Sequence, residues 1–100
     1  LSKIAFSLNE ISKKIPKKID WILRVDGHTD KIPINNEKFN SNWHLSSSRA
    51  INIVEFFIKE GISPHRLVAA GFGENYPIDE GDDEISLQKN RRIEIKLTTR

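Results

Sequence analysis

Two segments of the chain alternate at every second residue, and in each one side is polar. In Arg91 to Thr99, Ile93, Ile95 and Leu97 point one way while Arg92, Glu94, Lys96 and Thr98 point the other. In Ile19 to Asp26, Trp21, Leu23 and Val25 oppose Asp20, Ile22, Arg24 and Asp26. A strand of this kind buries one face and leaves the other wet, so its sheet needs helices on one side only. Two helical patterns supply that layer. Leu1, Ile4, Ala5, Leu8, Ile11 and Ile15 recur at helical spacing until Pro16 ends the run. A second helix is predicted from Asn42 to Glu60, with Ala50, Ile51, Val54, Phe57 and Ile58 as its buried stripe. Gly61 suits the position just after it, and Pro64 prevents continuation.

Between these lie a long loop, Gly27 to Ser41, a short strand, Leu67 to Ala70, running into Gly71-Phe72-Gly73, and a helical turn over Ser86 to Asn90. The order helix, strand, helix, strand, strand predicts an α/β two-layer sandwich, helices on one face of a small mixed sheet. Trp21, Leu23, Val25, Ile93, Ile95 and Leu97 are expected under the helices, with Leu8, Ile11, Val54, Phe57 and Ile58 completing the core. One hundred residues make a single domain, 1–100. The chain opens at Leu1 in mid-pattern, as expected for a piece of a longer protein.

Composition excludes several functions. There is no cysteine, so disulfides and thiol chemistry are out. No apolar run approaches the roughly 20 residues that span a bilayer, so membrane contact is expected only through segments outside this chain. Net charge is +2, but residues 74–84 carry six acids and no base. The lysines before residue 19 lack the interleaved aromatics of a nucleic-acid surface and read as a solvated helix end, so no nucleic-acid partner is expected. Three scattered histidines without metal-ligand spacing argue against a metal, and Gly71-Phe72-Gly73 lacks the third glycine of a dinucleotide loop, so no cofactor is expected. Ser46-Ser47-Ser48 sit where a helix start favours serine, without a nucleophile elbow, so no catalytic residue is assigned.

The second helix is more informative. Asn42 and Arg49 are seven apart, about 20° from eclipsed, and Arg49 lies roughly 140° from the buried stripe. The strand ending at Asp26 delivers His28-Thr29-Asp30 beside the helix start. Asp30 and Arg49 then offer a fixed anion and a fixed cation close together. Two readings stay open: a clamp on a zwitterionic ligand, or a salt bridge pinning loop to helix.

Val25-Asp26-Gly27-His28-Thr29-Asp30 and Asn42-Trp43-His44-Leu45-Ser46-Ser47-Ser48-Arg49-Ala50 resemble the GHTD and N-x-x-L-S-x-x-R-A motifs of OmpA-like peptidoglycan-binding domains. Gly61-Ile62 with Arg66, Gly71-Phe72-Gly73-Glu74 with Pro77, and Asn90-Arg91-Arg92-Ile93-Glu94-Ile95 are similar to that family's later motifs. The long stretch from Lys31 to Trp43 is closest to the MotB branch. The resemblance implies non-catalytic, non-covalent binding of peptidoglycan through the diaminopimelate of the stem peptide, anchoring an envelope or motor-stator protein in the periplasm of a Gram-negative-type bacterium. It implies a first strand upstream of Leu1, and leaves a homodimer open. It places ligand binding on Asp30, Arg49 and Asn42, with Thr29, Asn90 and Arg91 at the rim. His28, Gly27 and Gly71 are expected to be structural, and Trp43 and Phe39 to pin the long loop. The alternative is a protein-interaction or hydrolytic domain on the same fold.

Overall fold

The computed structural model describes all 100 residues. Its elements run α1 (Ser2–Ser12), β1 (Trp21–His28), α2 (Asn42–Lys59), a 3-10 turn (Pro64–Arg66), β2 (Leu67–Gly73), α3 (Glu84–Asn90) and β3 (Arg92–Thr99). The three strands form one sheet in the order β2-β1-β3. β1 is central, parallel to β2 and antiparallel to β3, so the sheet is mixed as expected. No helix is long and apolar enough to cross a membrane.

The element ends differ from the sequence reading for local reasons. α1 closes at Ser12, where the Ser12 hydroxyl donates to the Asn9 carbonyl at 2.7 Å. The turn bonds Lys14 N to Ile11 O (3.0 Å) and Ile15 N to Ser12 O (3.3 Å) then tighten the backbone before Pro16. β2 extends past Ala70 to Gly73 because Gly71 pairs with Gly27 and Gly73 with His28. The register slips between those pairs, which leaves Phe72 as the extra residue of a bulge.

The core is Ala5, Val25, Ala50, Phe57 and Ile62, with Leu8, Val54, Ile93 and Ile95 packed around it. Trp21 and Leu23 are buried as expected, though outside this cluster, whereas other expected members stay exposed. Ile11 and Leu97 are 50% and 55% exposed because α1 leaves an open apolar groove against the sheet, which both residues line. Ile51 and Ile58, both expected in the buried stripe of α2, also stay exposed, since the side that faces the sheet centres on Ala50 and Phe57. The outer sheet face differs in the opposite sense. Asp26 and His28 are buried on it, Asp26 beneath Arg24 and His28 stacked on Phe72 with ring centroids 5.1 Å apart.

Two glycines fix how α2 sits. A Cβ on Gly27 would lie 2.1 Å from the Ser46 carbonyl oxygen, and one on Gly71 2.0 Å from Ser47 Oγ. Only residues without a side chain let the first turns of α2 press onto the ends of β1 and β2. That contact brings the start of the helix beside the loop leaving β1.

Candidate ligand-binding cleft

β1 ends at His28, and the chain is held at its exit by the Thr29 amide donating to the Gly73 carbonyl at 2.9 Å. α2 starts at Asn42, with the Ser41 hydroxyl accepting from the His44 amide at 3.4 Å. Fully buried Ser46 accepts from the Gly73 amide (3.0 Å) and donates to the Trp43 carbonyl (3.1 Å). Its hydroxyl therefore locks α2 to the end of β2, a role that serine's general preference for helix starts conceals. Trp43 is exposed, and its ring lies against Gly73 at the end of β2.

Between the loop, α2 and α3 lies a cleft of about 300 Å³, lined by Thr29, Asp30, Asn42, Arg49, Glu84 and Arg91 over an apolar floor that includes Leu45 and Leu87. Asp30 is nearly buried; its Oδ1 accepts from the Ile32 amide at 3.0 Å and its Oδ2 from Arg91 Nη1 at 2.8 Å. Arg91 also bonds Glu84, and the two carboxylates, Glu84 first, hold its guanidinium protonated beyond its ordinary range. The partner of Asp30 is thus Arg91, not Arg49. The loop-pinning salt bridge that spacing left open is not formed, because Arg91, at the junction of α3 and β3, reaches the carboxylate instead. Arg49 stays exposed on the same cleft, bound to neither of its carboxylates.

Asn42 is buried and donates its side-chain amide to the carbonyls of Ile32 (3.1 Å) and Asp30 (3.4 Å), so it shapes the loop around the cleft. Thr29 is buried too, and its hydroxyl donates to the Asp30 carbonyl at 2.9 Å. Asn90 does not line this cleft. Its Oδ1 accepts from the amides of Ile78 (2.8 Å) and Asp79 (3.1 Å), and its Nδ2 donates to the Asp79 carbonyl (2.7 Å). Its functional groups are spent holding the 78–79 backbone, and it borders a second cavity of about 250 Å³ that shares Thr29 with the first.

The chain matches the OmpA family over residues 2–91. It belongs to the OmpA family. Motility protein B of Helicobacter pylori strain J99 is 32% identical over 90 residues, which is 90% of this chain and 34% of that protein. Motility protein B of Bacillus subtilis is 38% identical over 77 residues, 76% of this chain and 30% of that protein. The chain thus spans about a third of the length of these relatives. The crystallised C-terminal domain of Helicobacter pylori MotB superposes with a TM-score of 0.82 at 28% identity, over 99% of this chain and 74% of that one.

Two features of this OmpA-family domain escaped the sequence reading. Glu84 is one of the six acids of residues 74–84 and nothing in the sequence sets it apart from them; it lies at the start of α3, where it bonds Arg91. The outer sheet face gathers Asp26, His28 and Glu94 with ligand-type atoms within 4.8 Å of one another. Arg24 holds both oxygens of Asp26 (2.7 and 2.9 Å) and Arg92 holds Glu94 at 2.6 Å, so guanidinium already matches the charge a metal ion would need. The Arg92 hydrogen bond keeps the Glu94 carboxyl below its usual range. Burial, reinforced by the positive charge of Arg92, pushes the His28 imidazole below its usual range.

Proposed function

We propose that this OmpA-family domain binds peptidoglycan non-covalently and without catalysis, through the diaminopimelate of the stem peptide, and so anchors a larger envelope or motor-stator protein to the cell wall in the periplasm. The observation that carries the reading is the exposed Arg49 guanidinium on the same cleft as the nearly buried Asp30 carboxylate. A group bearing both ammonium and carboxylate satisfies both at once. Asp30 has accepted two hydrogen bonds and keeps further lone pairs for an incoming ammonium. Arg49 presents the planar fork that takes a carboxylate bidentately. Thr29 and Asn42 set the loop geometry, Arg91 orients the Asp30 carboxylate, and Asn90 acts through the backbone it holds.

Calorimetry with two stem peptides tests the ligand. A peptide containing meso-diaminopimelate is expected to bind, and one with lysine in its place to bind at least ten-fold more weakly. Lysine keeps the ammonium but lacks the second carboxylate, so Arg49 is desolvated without a partner. Equal affinity for the two removes Arg49 from the carboxylate role.

A further inference from the structure

The outer face of the sheet, opposite the helices, carries a cavity of about 440 Å³ that the stem-peptide cleft does not use. Its floor is a charged lattice. Arg24 grips Asp26 and Arg92 grips Glu94, while Lys96 Nζ stands 3.6 Å from Glu94 Oε1. His28 lines it as well, and its Nδ1 is the buried side-chain atom in the molecule without a hydrogen-bond partner. One wall is aromatic. Phe72 meets Tyr76 edge to face with centroids 5.4 Å apart, and Arg24 covers the Phe72 ring at 5.4 Å. Tyr76 is 61% exposed, yet its carbonyl accepts from Arg92 Nη2 at 2.9 Å, so an open ring is held on a fixed backbone.

These features specify a ligand class. Three cations face two carboxylates, so the cavity lacks the excess charge that selects a phosphate or an acidic peptide. Fixed donors and acceptors side by side suit hydroxyl and acetamido groups, which both donate and accept. An exposed aromatic ring braced edge to face by Phe72 supplies the apolar contact for the C–H face of a sugar. Position adds a second argument. The cavity shares Pro77 with the 250 Å³ cavity, which shares Thr29 with the stem-peptide cleft, so the outer face and the cleft border one intervening cavity.

We propose that the outer sheet face is a glycan subsite, in which Tyr76 stacks on an N-acetylated pyranose of the polymer whose stem peptide occupies the Asp30–Arg49 cleft. The choice of polymer rests on the peptidoglycan reading; the sugar chemistry rests on the cavity. The test uses two probes: glycan strands freed of their stem peptides, and the free diaminopimelate stem peptide without sugar. Titration of the isotope-labelled domain with the glycan is expected to shift the amide signals of Phe72, Tyr76 and Arg24. Tyr76→Ala is expected to weaken glycan binding at least ten-fold and Tyr76→Trp to retain it. Both variants should keep the wild-type melting temperature and stem-peptide affinity. Failure of the wild type to bind glycan overturns the proposal, as does glycan binding that Tyr76→Ala leaves unchanged. Equal loss of glycan and peptide binding in Tyr76→Ala overturns it too, since Tyr76 then acts on the fold. Glycan binding with no stem-peptide binding supports this subsite and refutes the diaminopimelate reading instead.

Discussion

Arg49 and Asp30, proposed to hold one ligand, stand in different structural circumstances, and alanine substitution should separate them. Arg49 is exposed and bound to neither cleft carboxylate, so Arg49→Ala should change stability by no more than about 0.5 kcal/mol, as surface substitutions do. Asp30 is an internal acceptor: its side chain is 11% exposed and holds the Ile32 amide and Arg91. Asp30→Ala removes both hydrogen bonds, at about 0.5–1.5 kcal/mol each, and should cost about 1–3 kcal/mol. At about 4–8 °C per kcal/mol for a domain of this size, that lowers the melting temperature by about 4–24 °C. Binding should respond alike in both. Removing one member of a desolvated charge pair with the ligand costs roughly 2–5 kcal/mol, a loss of about 30-fold to about 5,000-fold. Melting curves and pull-down on purified sacculi, run on both single variants and the double, measure all of this. The double variant should bind scarcely worse than either single one, because both act on one ligand group. The reasoning fails if Arg49→Ala melts as early as Asp30→Ala, or melts like the wild type and still holds sacculi.

Phe57→Ala empties the centre of the core and should cost about 3–5 kcal/mol in chemical denaturation, whereas Ile11→Ala, on the open groove, should cost under about 1 kcal/mol. Equal costs for the two would displace the core boundary drawn here. Because the folded state depresses the His28 pKa, the unfolded chain binds more protons once pH drops below about 6.5. Stability is therefore complete above that pH and declines as pH falls toward the folded-state value; a urea midpoint series should show the decline, and His28→Gln should flatten it. Glu94 is also depressed, so its contribution is present above the ordinary carboxylate range and disappears as pH falls through its folded value. Glu94→Gln should remove that acid-side component, and an unchanged acid limb would contradict the Arg92 pairing. Gly27→Ala drives a methyl group into the Ser46 carbonyl and should destabilise by at least about 1–3 kcal/mol, with soluble yield and midpoint as the readouts.

Period-2 and period-3.6 patterns identify which way Val25, Ile95 and Phe57 face, so the layers and the central core were legible from residues alone. What those patterns omit is the cover. Ile11 and Leu97 face the apolar side as predicted, but burial depends on how far α1 reaches, and no local signal carries that distance. The cleft divides the same way. Helical geometry places Arg49 off the buried stripe, and chain order delivers Asp30 beside it. The partner of Asp30 comes from 61 residues away, through α3, and nothing near either residue announces it. Asn90 illustrates the converse: its motif points to the site, but its side chain is consumed by the backbone of residues 78–79.

The position of Asp30 just beyond the middle strand has a mechanical consequence. β1 is hydrogen-bonded along its length on both sides, to β2 and to β3. A ligand held at Asp30 that comes under tension along the strand axis pulls on two ladders at once, which must shear together. An edge strand loaded across its axis would unzip one bond after another. A grip at the end of a doubly bonded strand shares force before any single contact yields, which suits the polymeric ligand proposed above.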